Sequence, residues 1–144
     1  MKMAFNVLIV DDSSSMRAVI KKIIKVSGFN VGNYFEAEDG IEALKILDND
    51  WIDLVLSDIN MPNMDGMSFL SEMKKNELFS SIPVVMITTE GSETKILESI
   101  KLGASGYIKK PFFPADIKNT LSKLMEEEVS DVRGNDDGDE AGDF

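Results

Sequence analysis

Five short apolar runs, each followed by a segment whose apolar residues recur every three or four positions, divide the first 125 residues into strand-then-helix pairs. Val7-Leu8-Ile9-Val10 is long enough for a buried strand and too short for a helix. Behind it, Met16, Val19, Ile20, Ile23 and Ile24 share one helical face, with Ser13 or Ser14 placed to cap that helix and Gly28 to end it. A weaker strand is predicted at 31–36 and a helix from 41 to about 49, behind the Asp39-Gly40 turn. Strands at 53–57 and 83–87 precede helices at 67–75 and 93–102. A fifth strand at 105–109 leads to a helix faced by Phe113, Ile117, Leu121 and Leu124.

Strands separated by helices connect by crossovers, so they run parallel and need helices on both faces of the sheet. The predicted fold is α/β: a doubly wound, flavodoxin-like sheet of five parallel strands in the order 2-1-3-4-5, with five helices. No internal repeat is visible. Residues 1–128 form the domain, and the polar, Gly- and Asp-rich stretch 129–144 is expected to be a disordered acidic tail.

Composition narrows the function. Apolar residues make up 43% and charged residues 28%, a soluble globular profile. No apolar run is long enough to span a bilayer, and the opening run stops at an Asp pair with no small-residue cleavage site, so a cytoplasmic protein without membrane insertion is expected. The absence of Cys fits a reducing compartment and excludes disulfides and thiolate chemistry. The absence of His excludes a Ser-His-Asp triad, an imidazole zinc site and a phosphohistidine on this chain. Any metal must be held by oxygen, which favours magnesium, calcium or manganese. The net charge of −11 is uneven: residues 126–144 hold nine acids and one base, leaving seventeen acids and fourteen bases in the body. A nearly balanced body with an acidic tail argues against nucleic-acid binding.

In a parallel sheet the strand C-termini share one edge, where ligands bind. The predicted strands deliver Asp11 and Asp12, Asp58, Thr88 and Lys110 to that edge, from strands one, three, four and five, which are neighbours in the order 2-1-3-4-5. Singly these residues have ordinary readings: the Asp pair and Thr88 as helix caps, Asp58 as a turn residue, Lys110 as a solvated charge. Together they make a site for a cation and a phosphoryl group. A divalent cation relieves the repulsion among carboxylates, Asp58 can attack phosphorus, and the Lys110 ammonium can stabilise the equatorial oxygens of an in-line displacement.

The stretches LIVDDSSSMR, EAEDGIEAL, LVLSDINMPNMDG, PVVMITTE and GASGYIKKPF, in order along residues 5–125, resemble the response-regulator receiver domain, in particular CheY-like chemotaxis response regulators. The resemblance implies a phosphorylation switch and not an enzyme for an external substrate; phosphotransfer and autodephosphorylation are self-catalysed. Asp58 is the implied phosphoacceptor. Mg2+ is bound by Asp12, Asp58 and the main-chain carbonyl of Asn60, with Asp11 acting through a metal-bound water. Thr88 and Lys110 contact the phosphoryl group, Lys110 being chosen over Lys109 because the family's lysine directly precedes a proline. Tyr107 is the implied aromatic switch, Asn60 and Glu90 tune phosphoryl turnover, and the Lys110–Pro111 bond is cis. The implied partners are a histidine kinase, a target such as a flagellar motor switch protein, and a phosphatase, with the chain itself a monomer.

A single-domain phosphate sink or relay shuttle is the alternative output. A magnesium-dependent phosphatase with an Asp nucleophile is disfavoured because Asn60 stands where its second carboxylate belongs. A flavodoxin is disfavoured because Asp11 and Asp12 repel a flavin phosphate. The acidic tail reads either as solubilising or as folding back on the basic segment 92–125.

Overall fold

The first apolar run forms β1 (Phe5–Val10), and alternate residues on it serve opposite sides of the sheet. Leu8 and Val10 pack into one core cluster, Val7 and Ile9 into the other. The computed structural model describes residues 4–89 and 93–133, with the backbone alone for Thr88 and 126–133. In chain order β1 is followed by α1 (Ser14–Ser27), β2 (Val31–Ala37), α2 (Gly40–Asn49), β3 (Leu54–Asp58), α3 (Gly66–Lys75), β4 (Val84–Thr88), α4 (Glu93–Lys101), β5 (Gly106–Lys109) and α5 (Pro114–Arg133). The sheet order is β2-β1-β3-β4-β5 with every pair parallel, as expected from the sequence.

Helices α2 and α3 cover one face, contributing Ala43, Leu47, Phe69, Leu70 and Met73 to its core. Helices α1 and α5 cover the other, with Ile20, Ile24, Ile117, Leu121 and Met125. Methionines fill this core and its margin: Met86 is buried, and Met61, Met64 and Met67 lie against the first cluster. Caps fix the helix starts, with Ser13 accepting from the Met16 N–H at 3.1 Å and Asp65 from the Ser68 N–H at 2.8 Å. Gly28 ends α1 at φ 87, a left-handed conformation that suits glycine.

Several expected details shift. β3 and β4 each begin and end one residue later, so Asp58 and Thr88 are the last residues of their strands. Asp53 is instead a bracket at the far edge, where its carboxylate accepts from the Asn6 N–H at 2.8 Å and the Trp51 indole at 3.1 Å. Phe113 is not on the core face of α5: it precedes Pro114 and is 67% exposed, while Phe112 and Met125 fill the core. Val19 likewise faces outward. The backbone of α5 stays helical to Arg133, past the boundary expected at 128; residues 126–128 therefore lie more than one turn before the helix end, where the dipole no longer opposes glutamate, a good helix former. The rest of the expected tail, 134–144, lies outside the described residues.

Candidate functional site

β1 leads directly into Asp11, whose placement is fully determined by protein bonds. Its N–H donates to the Ala37 carbonyl at 3.0 Å, its Oδ1 accepts from the Ser13 N–H at 2.9 Å, and its buried Oδ2 lies 3.4 Å from the Lys110 Nζ. Its own carbonyl accepts from Arg17 at 2.5 Å. Asp12, next in the chain, is exposed.

At the end of β3, Asp58 points one carboxylate oxygen back to its own loop, where Oδ1 accepts from the Ile59 N–H at 2.7 Å. Oδ2 sits 3.9 Å from the Lys110 Nζ. Lys110 follows β5 directly, is 13% exposed at its side chain, and so lies between the carboxylates of Asp11 and Asp58. The Lys110–Pro111 peptide is cis, as expected. Burial pushes the Asp58 carboxyl above the usual carboxylate range; the Lys110 ammonium and the main-chain N–H groups of Ile59 and Asn60 act in the opposite direction, and Asp11 adds to the rise.

One oxygen from each of Asp11, Asp12 and Asp58 lies within 4.8 Å of the others. Three carboxylates this close, neutralised in part by one ammonium, retain an excess of negative charge. The donors are all hard oxygens on an open edge, which fits a magnesium ion that keeps several waters. Thr88 ends β4 and pairs with Lys109 in the register, one step beyond the Asp58–Ile87 pair. Tyr107 pairs with Met86 on edge strand β5 and is partly exposed. Asn60 is exposed in the loop after β3. Glu90 lies outside the described residues.

The loop from β3 to α3 is pinned from two directions. Gly66 starts α3 so close to β3 that an added Cβ would overlap the Asp58 carbonyl oxygen and come within 2.9 Å of the Ile59 Cα, while its N–H donates to the Ile59 carbonyl at 2.8 Å. Asn63, at φ 65, donates to the buried Asp39 carboxylate, and the Gly40 N–H donates to the Met64 carbonyl at 3.0 Å. Sequence reasoning read Asp39 only as a turn and passed over Asn63 and Arg17. The Pro62-Asn63 pair was the available signal, since Asn after Pro tolerates a left-handed turn.

A parallel five-stranded sheet whose C-terminal edge gathers an Asp pair, a strand-end Asp and a Lys defines a receiver domain, and the chain belongs to that family: the profile of the response regulator receiver domain matches residues 7–122. Among the proteins it resembles are chemotaxis regulators. It is 42% identical over 120 residues to chemotaxis protein CheY-3 of Vibrio cholerae, covering 83% of this chain and 91% of that one. The solved structure of CheY4 of Vibrio cholerae matches with a TM-score of 0.70 at 35% identity, covering 88% of this chain and 98% of the other. A chain from the CheX-CheY-BeF3-Mg+2 complex of Borrelia burgdorferi matches with a TM-score of 0.74 at 34% identity, covering 84% and 89%. The chain is thus a receiver of the CheY-like chemotaxis kind, a signalling switch by family.

Proposed function

We propose that this receiver accepts a phosphoryl group on Asp58 from the phosphohistidine of a sensor kinase and passes the signal on by binding a partner protein. The observation that carries this reading is the position of Lys110, whose ammonium faces both Asp11 and the freer oxygen of Asp58. A carboxylate oxygen of Asp58 forms the new bond to phosphorus as the phosphorus–nitrogen bond to the kinase imidazole breaks. Lys110 offsets charge on the transferring oxygens, and Thr88 donates its hydroxyl to one of them. Magnesium, held by Asp12, Asp58 and the Asn60 carbonyl with Asp11 beside them, supplies further charge neutralisation when bound. Asn60 and Glu90 set the lifetime of the acyl phosphate.

Output runs through α4, β5 and α5. The one buried residue of α4 among those described is Ser99, while Leu97 and Ile100 are exposed, as is Tyr107 on β5. A helix that seats a serine inward and leaves two aliphatic side chains in water is suited to contacting a partner. Tyr107, amphipathic and at the sheet edge, is the side chain that turns inward on activation. By likeness to its relatives the partner is a chemotaxis component, a flagellar motor switch protein for output and a CheX-like phosphatase for reset. No described helix is long and apolar enough to cross a membrane. The working form is a cytoplasmic monomer. Intact-mass analysis after incubation with acetyl phosphate and magnesium tests the central step: wild type gains one acid-labile phosphoryl group and Asp58→Asn gains none. Full labelling of Asp58→Asn overturns the reading.

A further inference from the structure

The acidic residues of the β1–α1 turn are ordered by a cation that touches no carboxylate among them. Arg17, in the first turns of α1, places Nη1 at 2.5 Å from the main-chain carbonyl of Asp11 and Nε at 2.8 Å from Glu36 Oε1 on β2. Lys21, one helical turn further on, takes the other Glu36 oxygen at 2.7 Å. Glu36 immediately precedes Ala37, whose carbonyl accepts the Asp11 N–H. Both main-chain polar groups of Asp11 are therefore fastened to β2, the N–H directly and the carbonyl through the Arg17–Glu36 pair. The peptide that Arg17 holds is the one joining Asp11 to Asp12.

We propose that Arg17, oriented by Glu36, is a positioning residue for magnesium binding: it fixes the Asp11–Asp12 peptide so that both carboxylates stay aimed at the Asp58 side of the sheet edge. The proposal deepens the functional reading above and rests on it. The guanidinium suits this role because its rigid fork can serve a carbonyl and a carboxylate at once, which an ammonium at the same position cannot do with the same geometry. Its side chain is 15% exposed, so the fork is shielded from competing water.

Positioning and simple electrostatics predict opposite signs. Arg17 is a positive charge near a cation site, so if its charge alone mattered, Arg17→Ala would tighten magnesium. If it holds the turn, Arg17→Ala weakens magnesium, roughly tenfold, at the low end of what outer partners of metal ligands contribute. Arg17→Lys keeps the charge and loses the fork, and is expected to weaken binding nearly as much. Glu36→Gln, which keeps an oxygen for Arg17 and is the gentler change for the fold, weakens it less.

The experiment is a magnesium titration of the full chain, wild type and the three variants, followed by amide NMR shifts, with urea unfolding of the metal-free proteins alongside. Weaker binding in Arg17→Ala and Arg17→Lys, with metal-free shifts displaced at residues 11–13, supports the proposal. Wild-type affinity in Arg17→Lys, or unchanged or tighter binding in Arg17→Ala, overturns it and leaves the functional reading intact. If the wild type itself binds no magnesium, both fall.

Discussion

Asn63 donates its side-chain amide to the buried carboxylate of Asp39 at 2.7 Å, so the loop that follows Asp58 is tied to the N-terminus of α2. The other Asp39 oxygen accepts from the Glu42 N–H at 2.8 Å and caps that helix. Asn63→Ala cuts the tie and also puts a Cβ without a polar side chain at φ 65. The lost bond leaves a buried carboxylate oxygen unpaired, worth about 1–3 kcal/mol, and the left-handed backbone adds about 1 kcal/mol for alanine. Asn63→Gly should recover the backbone share alone. Urea unfolding of the two variants separates the contributions; equal losses would mean the backbone conformation is not a strain for alanine here.

The same carboxylate sets an acid limit on stability. The Glu42 N–H, then the Asn63 amide, hold the Asp39 carboxyl below the usual range, against the opposing effect of burial. A carboxyl depressed in the folded state contributes stability above its unfolded value, near 3.9, and loses that contribution as pH falls through the lower folded value. Asp39→Asn should therefore be less stable than wild type at neutral pH, with the gap closing below about pH 4. A gap that stays constant between neutral and acid pH, measured by urea unfolding, contradicts the assignment.

How much of this was legible in the sequence depends on the kind of bond involved. Strand ends were legible because short continuous apolar runs and period-3.6 patterns mark elements, and a parallel sheet brings their ends together; that suffices to gather Asp11, Asp12, Asp58 and Lys110. Arg17, Asp39 and Asn63 act through hydrogen bonds to main chain or to one another across elements, and such bonds leave no period to read. Phe113 and Val19 failed in the opposite way. Each fits a helical stripe, but Pro114 starts α5 one residue late for Phe113, and the stripe on α1 is narrower than its apolar residues suggest. The close approach of Gly66 to the end of β3 leaves no signal in the sequence either, because it depends on two backbones meeting.

That close approach predicts the effect of the smallest substitution. Gly66→Ala sets a methyl against the Asp58 carbonyl and the Ile59 Cα, both backbone atoms at the end of a buried strand, so relief requires moving α3 or the strand end. Overpacking of this kind costs about 1–3 kcal/mol. Because the displaced backbone carries Asp58, labelling by acetyl phosphate should slow by more than the stability loss explains, when compared at a temperature where the variant is fully folded. A variant that melts lower yet labels at the wild-type rate would show that α3 yields and the strand does not.

Lys110 predicts a split between metal binding and chemistry. Its ammonium stands 3.4 Å from Asp11 and 3.9 Å from Asp58, on the carboxylates that a magnesium ion would share, so the two cations compete. Lys110→Ala leaves the buried Asp11 carboxylate without its ion-pair partner, and breaking a buried pair from one side destabilises by about 3–5 kcal/mol. Magnesium should then bind the variant several-fold more tightly than wild type and raise its melting temperature further, because it restores the missing positive charge to the folded state alone. Phosphotransfer should move the other way. At saturating magnesium the ammonium no longer faces the transferring oxygens, and the loss of one such group slows the step by about a hundredfold. The measurements are a magnesium titration, melts with and without magnesium, and the labelling rate at saturating metal. Weaker magnesium binding in Lys110→Ala would mean that the lysine orders the carboxylates more than it competes for them, which reverses its role at this site.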